Sequence, residues 1–106
     1  MNAQELAAWL KKTDPRQLVE VAVDNPYDYY EASKAMQLIP IGTRTGAQCV
    51  WMAAAAVNAF GHDAREHLRH EHPGVIDIAV RYVRSNPATA HTEQAVLWGA
   101  IERLTI

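Results

Sequence analysis

Hydrophobic positions along the chain fall mostly three and four residues apart, the spacing that places them on one face of an α-helix. Leu6, Trp9 and Leu10 share such a face, and Asn2 followed by Glu5 has the form of a capping box, so a helix is predicted over residues 3–12. Asp14-Pro15, Asn25-Pro26 and Asn86-Pro87 each put a capping side chain directly before a proline. Proline suits the first helical position because it has no amide hydrogen to leave unpaired there. A second helix then covers residues 15–24 with Leu18, Val19, Ala22 and Val23 inward, although residues 18–23, LVEVAV, also fit a strand. A third runs over residues 27–38, with Tyr29 or Tyr30, Ala32, Ala35, Met36 and Ile39 inward, and Pro40 ends it.

Residues 40–46, PIGTRTG, read as a turn, and the pattern then changes. Residues 48–60, QCVWMAAAAVNAF, carry no charge and hold four consecutive alanines, with Gly61 as a natural stop for a helix over 45–60. A helix apolar on every side has to meet neighbours on every side. Alanine lets them approach toward the short end of the roughly 8–10 Å range of helix separations. Residues 62–74, HDAREHLRHEHPG, are either a short helix or a loop. A fifth helix over 74–85 carries Val75, Ile76, Ala79, Val80 and Val83. A sixth over 87–104 carries Leu97, Ile101 and Leu104, with Ala90, Ala95 and Trp98 beside them. The expected fold class is all-α: one domain over residues 1–106, built as five to six short helices around the alanine-rich helix.

Composition agrees with a globular chain, since 49% of the residues are hydrophobic and 21% charged. A formal net charge of -2 offers no general attraction to nucleic acid. The longest uncharged stretch, Thr45 to Gly61, is shorter than the roughly 20 residues a membrane span needs. The first residues lack the basic start and apolar run of a signal peptide, and one cysteine, Cys49, excludes an internal disulfide. A cytoplasmic setting is expected, with neither nucleic acid nor membrane as a partner.

Candidate chemistry is sparse. His62, His67, His70 and His72 fall close together, and Asp63, His67 and His70 would share a helical face with ligands that zinc, iron or nickel accept. Against this, the spacing matches no zinc signature and no cysteine helps, so a solvated polar connector is the plainer reading. Thr43, Arg44 and Thr45 precede a helix N-terminus, where backbone amides cradle anions; a capping turn is the plainer reading. Cys49 sits among apolar neighbours, Ser33 and Ser85 lack an activating motif, and no two carboxylates pair for acid–base work. No catalytic residue and no cofactor are expected. The run PYDYYE, residues 26–31, cannot bury all three tyrosines from one helix, and exposed aromatic rings are the usual anchors of protein interfaces.

Two stretches resemble a family pattern. LIPIGTRTGAQCVWMAAAAV is similar to the "L-P-x-R-x-A-V-x-W-A" segment of small uncharacterised bacterial helical domains. DIAVRYVRSNPATAHTEQAVLWGA is similar to their "A-x-x-W-V-x-x-P-x-x-x-x-R-x-A" segment. The match covers under half the chain and consists of helix-packing residues; Tyr82 replaces the tryptophan, and Glu93 or Gln94 falls where arginine is usual. Such domains are associated with bacterial secretion gene neighbourhoods, especially contractile type VI systems. The resemblance implies an accessory or adaptor role and transfers no catalytic residue. The reading that results is a non-catalytic protein-interaction module, an adaptor, accessory or inhibitor, which meets another protein through Tyr27, Tyr30 and Trp9. A homo-oligomer is compatible with it. The alternative is a small-molecule or metal binder using the His62–His72 segment.

Overall fold

The computed structural model describes residues 1–89 and 92–106. Among the described residues seven α-helices follow one another: α1 Ala3–Lys12, α2 Pro15–Asp24, α3 Tyr29–Gln37, α4 Gly46–Phe60, α5 Ala64–Glu71, α6 Val75–Ser85 and α7 Glu93–Glu102. Short 3-10 turns lie at Ile41–Thr43, Gly61–Asp63 and Arg103–Thr105, and no strand occurs among the described residues. The all-α architecture expected from the pattern is the one observed. The strand alternative for residues 18–23 falls to α2, whose buried positions Leu18, Val19 and Ala22 have helical spacing.

The helix starts follow from local caps. Asn2 and Glu5 close the capping box on α1, Asp14 accepts from the Gln17 amide at 3.0 Å, and Thr45 and Gln48 form a second capping box on α4. The two Asn-Pro pairs do the opposite of what was expected of them. Asn25 terminates α2, its amide donating to the Val21 carbonyl, and α3 is opened instead by Asp28, which accepts from Tyr30 and Glu31. Asn86 terminates α6, and its side chain donates to the Tyr82 carbonyl at 2.9 Å. The predicted helix over 87–104 is thus shorter: α7 begins at Glu93, capped by Thr92, and Ala90, assigned to that helix, lies outside the described residues. Proline after asparagine fits both ends of a helix, since it cannot continue one either.

α4 is the axis of the fold. Every residue from Ala47 to Ala56 is buried, and α4 packs against α2, α3, α5, α6 and α7. The small side chains matter at its crossing with α6. At Gly46 even a single added carbon would stand 2.5 Å from the Tyr82 ring and 2.9 Å from that residue's own Cβ, so the backbones could not keep their distance. Toward its middle, Trp51 fills the wider space, and the rings of Trp9 and Tyr27 lie against it at centroid distances of 6.3 and 5.9 Å. Among the described residues no helix is long and apolar enough to cross a membrane.

Candidate functional site

α7 has the same apolar signature as α4 and a different fate. Residues 95–101, AVLWGAI, are uncharged, yet within α7 only Trp98 and Ile101 are buried. Trp98 anchors the helix, donating its indole N–H to the Asn86 carbonyl at 2.6 Å and lying edge-on to Tyr82. Of the run 95–101, Val96 is left to solvent, 72% exposed, while Ala95, Leu97, Gly99 and Ala100 are partly buried.

Beside Val96 runs a trough along the seam between α2 and α7. At one end is a depression of about 490 Å³ with Val23, Pro26, Val57, Val96, Leu97 and Ala100 in its wall. A second, of about 290 Å³, shares Val23, Asp24 and Glu93 with it. A third, of about 640 Å³, shares Val19, Glu20 and Gln94 with the second and continues to Trp98 and Tyr82. The lining mixes aliphatic residues at one end with Tyr82 and Trp98 at the other, and carries Asp14, Glu20, Asp24 and Glu93 against one cation, Arg16, which pairs with Glu20 at 3.6 Å.

The three aromatic residues expected to bind a partner are divided. Trp9 and Tyr27 are half-buried and converge on Trp51, whereas Tyr30 lies edge-on to Phe60 and is 64% exposed. Of the tyrosine pair left open by the sequence, Tyr29 is the buried one.

Asp63, His67 and His70 are not gathered as a ligand set: among the described residues no group of three His, Cys, Asp or Glu side chains could hold a metal ion. Asp63 precedes α5, so helical spacing does not carry through it, and the His67 ring stacks on Phe60 at 3.7 Å. Thr43, Arg44 and Thr45 are likewise occupied by the backbone. Thr43 donates to the Pro40 carbonyl and Thr45 caps α4. Arg44 donates to the Met36 and Ile39 carbonyls at 2.9 and 3.1 Å, placing a cation at the negative end of α3.

The fold also makes a polar cluster that no local motif announces. The Ser33 hydroxyl and the Tyr29 hydroxyl both donate to Glu71 Oε2 at 3.2 Å, and His72 Nε2 stands 2.8 Å from Ser33 Oγ. A carboxylate only accepts, so the serine proton is committed to Glu71 and His72 must donate through Nε2. His72 Nδ1 is then a buried acceptor without a partner. Burial, with Arg44 adding to it and Glu71 opposing, holds the His72 pKa below its ordinary value. The pair resembles a nucleophile and its base, but Ser33 is 5% and His72 1% exposed, and neither lines the depressions described above. The carboxylate also holds the serine proton rather than orienting the imidazole, the reverse of an activating triad. The cluster fastens the end of α5 to α3.

One further cavity, of about 480 Å³, lies between the Gly61–Asp63 turn and the last residues, with His62, Arg65 and Arg103 over Val57, Ala100 and Leu104. Arg65 is already engaged there, donating to the Ile106 carbonyl. No family model, curated protein or solved structure matches the chain.

Proposed function

We propose that the chain is a protein-interaction module without chemistry of its own, and that it receives another protein along the α2–α7 trough. The observation that carries this reading is the contrast between two uncharged apolar runs, residues 47–56 of α4 and 95–101 of α7. From Ala47 to Ala56 α4 meets neighbours on every side, while α7 keeps Val96 and the edges of Leu97 and Ala100 in water. A helix apolar all round is stable in water only if something covers it. An adaptor or accessory role is consistent with this, and a link to bacterial secretion rests on the sequence resemblance alone. A small-molecule reading is favoured by the cavity at His62 and Arg65, whose volume suits a ligand, but that cavity leaves the exposure of Val96 unexplained.

The test compares the intact chain with Val96→Asp and Tyr30→Ala variants in a quantitative pull-down. Val96→Asp is expected to weaken the retained partner by at least about tenfold, or about 1.4 kcal/mol. Its stability should stay within about 0.5 kcal/mol of the parent, because the side chain touches little in the free chain. Tyr30→Ala, away from the trough, should leave the same partner bound. Full retention by Val96→Asp, or loss only with Tyr30→Ala, would move the recognition surface elsewhere.

A further inference from the structure

We infer that the occupant of the trough is an amphipathic helix of another protein, its apolar stripe flanked by lysine or arginine. This rests on the docking reading above and goes on to specify the partner's chemistry. The walls are two ten-residue helices, each about 15 Å long, so the trough accommodates about three turns of an incoming helix. Its aliphatic residues come from both sides, Val19 and Val23 from α2 and Val96, Leu97 and Ala100 from α7. That arrangement suits anchors repeating at three and four residues on one face of a guest helix.

The rim then selects its charge. Glu20 is answered by Arg16, and Glu93 sits in the first turn of α7, where a carboxylate stabilises the helix. Asp24 has neither explanation. It is the last residue of α2, at the negative end of the helix dipole, with no basic residue in that turn. Among the described residues it forms no ion pair. A carboxylate so placed is unfavourable in the free chain. It lines, with Glu93, the wall shared by two of the depressions, where a cation from a guest helix would answer both carboxylates.

A second copy of this chain fits less well. The charged residues of α7 are Glu93 and Glu102, so its own α7 cannot supply the cation. A two-fold contact through the trough would set the acidic rims against each other.

The experiment uses the full chain and two fluorescent designed peptides with one leucine spacing, flanked by lysine in the first and by glutamate in the second. Anisotropy titration should show the lysine peptide binding with one-to-one stoichiometry and at least about tenfold more tightly than the glutamate peptide, with the difference shrinking as salt rises. Asp24→Lys should remove most of that preference without lowering the thermal midpoint, since lysine suits the end of α2. Val96→Asp should weaken binding of the lysine peptide. If both peptides bind equally and Val96→Asp weakens both, the charge inference fails while the docking reading stands. If neither binds, or Val96→Asp changes nothing, both fail. A homodimer in sedimentation velocity that Val96→Asp dissolves would make the occupant a second copy and overturn the inference.

Discussion

Replacing Trp51 by alanine is expected to cost about 3–5 kcal/mol of stability, the range for truncating a buried aromatic side chain. The residue lies within the enclosed part of α4, 1% exposed, and removing its indole strips the rings of Trp9 and Tyr27 of the surface they lie on. A domain of this size has roughly 5–15 kcal/mol in total, so the variant should sit close to unfolding. The thermal midpoint should fall by more than about 10 °C, with a matching shift of the urea midpoint. Trp51→Phe should be milder. It keeps most of the packing and removes an indole N–H that is buried without a partner. A cost below about 1 kcal/mol for Trp51→Ala would mean that the surrounding helices do not close on α4.

The second large effect is a dome in stability against pH, with its two sides assigned to different residues. His72 is held below its ordinary pKa of 6.5 in the folded chain, so between that value and the folded one the unfolded chain binds a proton that the folded chain refuses. Stability therefore falls with acidification below about pH 6.5, by up to about 1.4 kcal/mol per pH unit, until the folded-state value is reached. The alkaline side has the opposite origin. Burial pushes the Cys49 thiol up from 9.0 to about 11. Burial, reinforced by Glu71, pushes the Tyr29 hydroxyl from 10.0 to about 12. The unfolded chain releases these protons first, so stability declines as pH rises above about 9 and more steeply above about 10. Urea midpoints across the range should show a plateau between the two declines. His72→Gln should flatten the onset near pH 6.5 and leave the alkaline side in place, whereas Cys49→Ala should delay only the alkaline decline. A neutral-to-acid side unchanged by His72→Gln would mean that the imidazole is not sealed from water.

What could be read in advance divides by the range of the forces involved. The caps on α1, α2 and α4 act over three residues, and those helices begin where Asn2, Asp14 and Thr45 place them. The enclosure of α4 was legible because an uncharged segment too short for a membrane has few other ways to be satisfied. The Asn-Pro pairs misled because the same two residues suit a helix start and a helix stop, and Asp28 and Thr92 were the operative caps. Ser33 and His72 are 39 residues apart and meet only because α5 packs back toward α3, so no spacing rule could pair them.

The trough was missed for a subtler reason. The spacing gives the last helix a stripe of Leu97, Ile101 and Leu104, with Ala95 and Trp98 beside it, and leaves Val96 unplaced. A stripe names the residues that seek cover, but which side the chain itself covers depends on where Trp98 docks. The anchor is local to Asn86 and Tyr82, and once it is seated Val96 faces out. The aromatic trio divides for the converse reason. Trp9 and Tyr27 are recognised as large and amphipathic from sequence, but only the fold sets them on Trp51.

Amide hydrogen exchange on the free chain tests most directly the claim that α4 is enclosed while α7 is only half covered. The amides of Ala53 to Ala56 are expected to exchange only by global unfolding, with a protection free energy equal to the stability measured in urea, while those of α7 around Val96 exchange through smaller local openings. Exchange of the α4 amides as fast as those of α7 would contradict it.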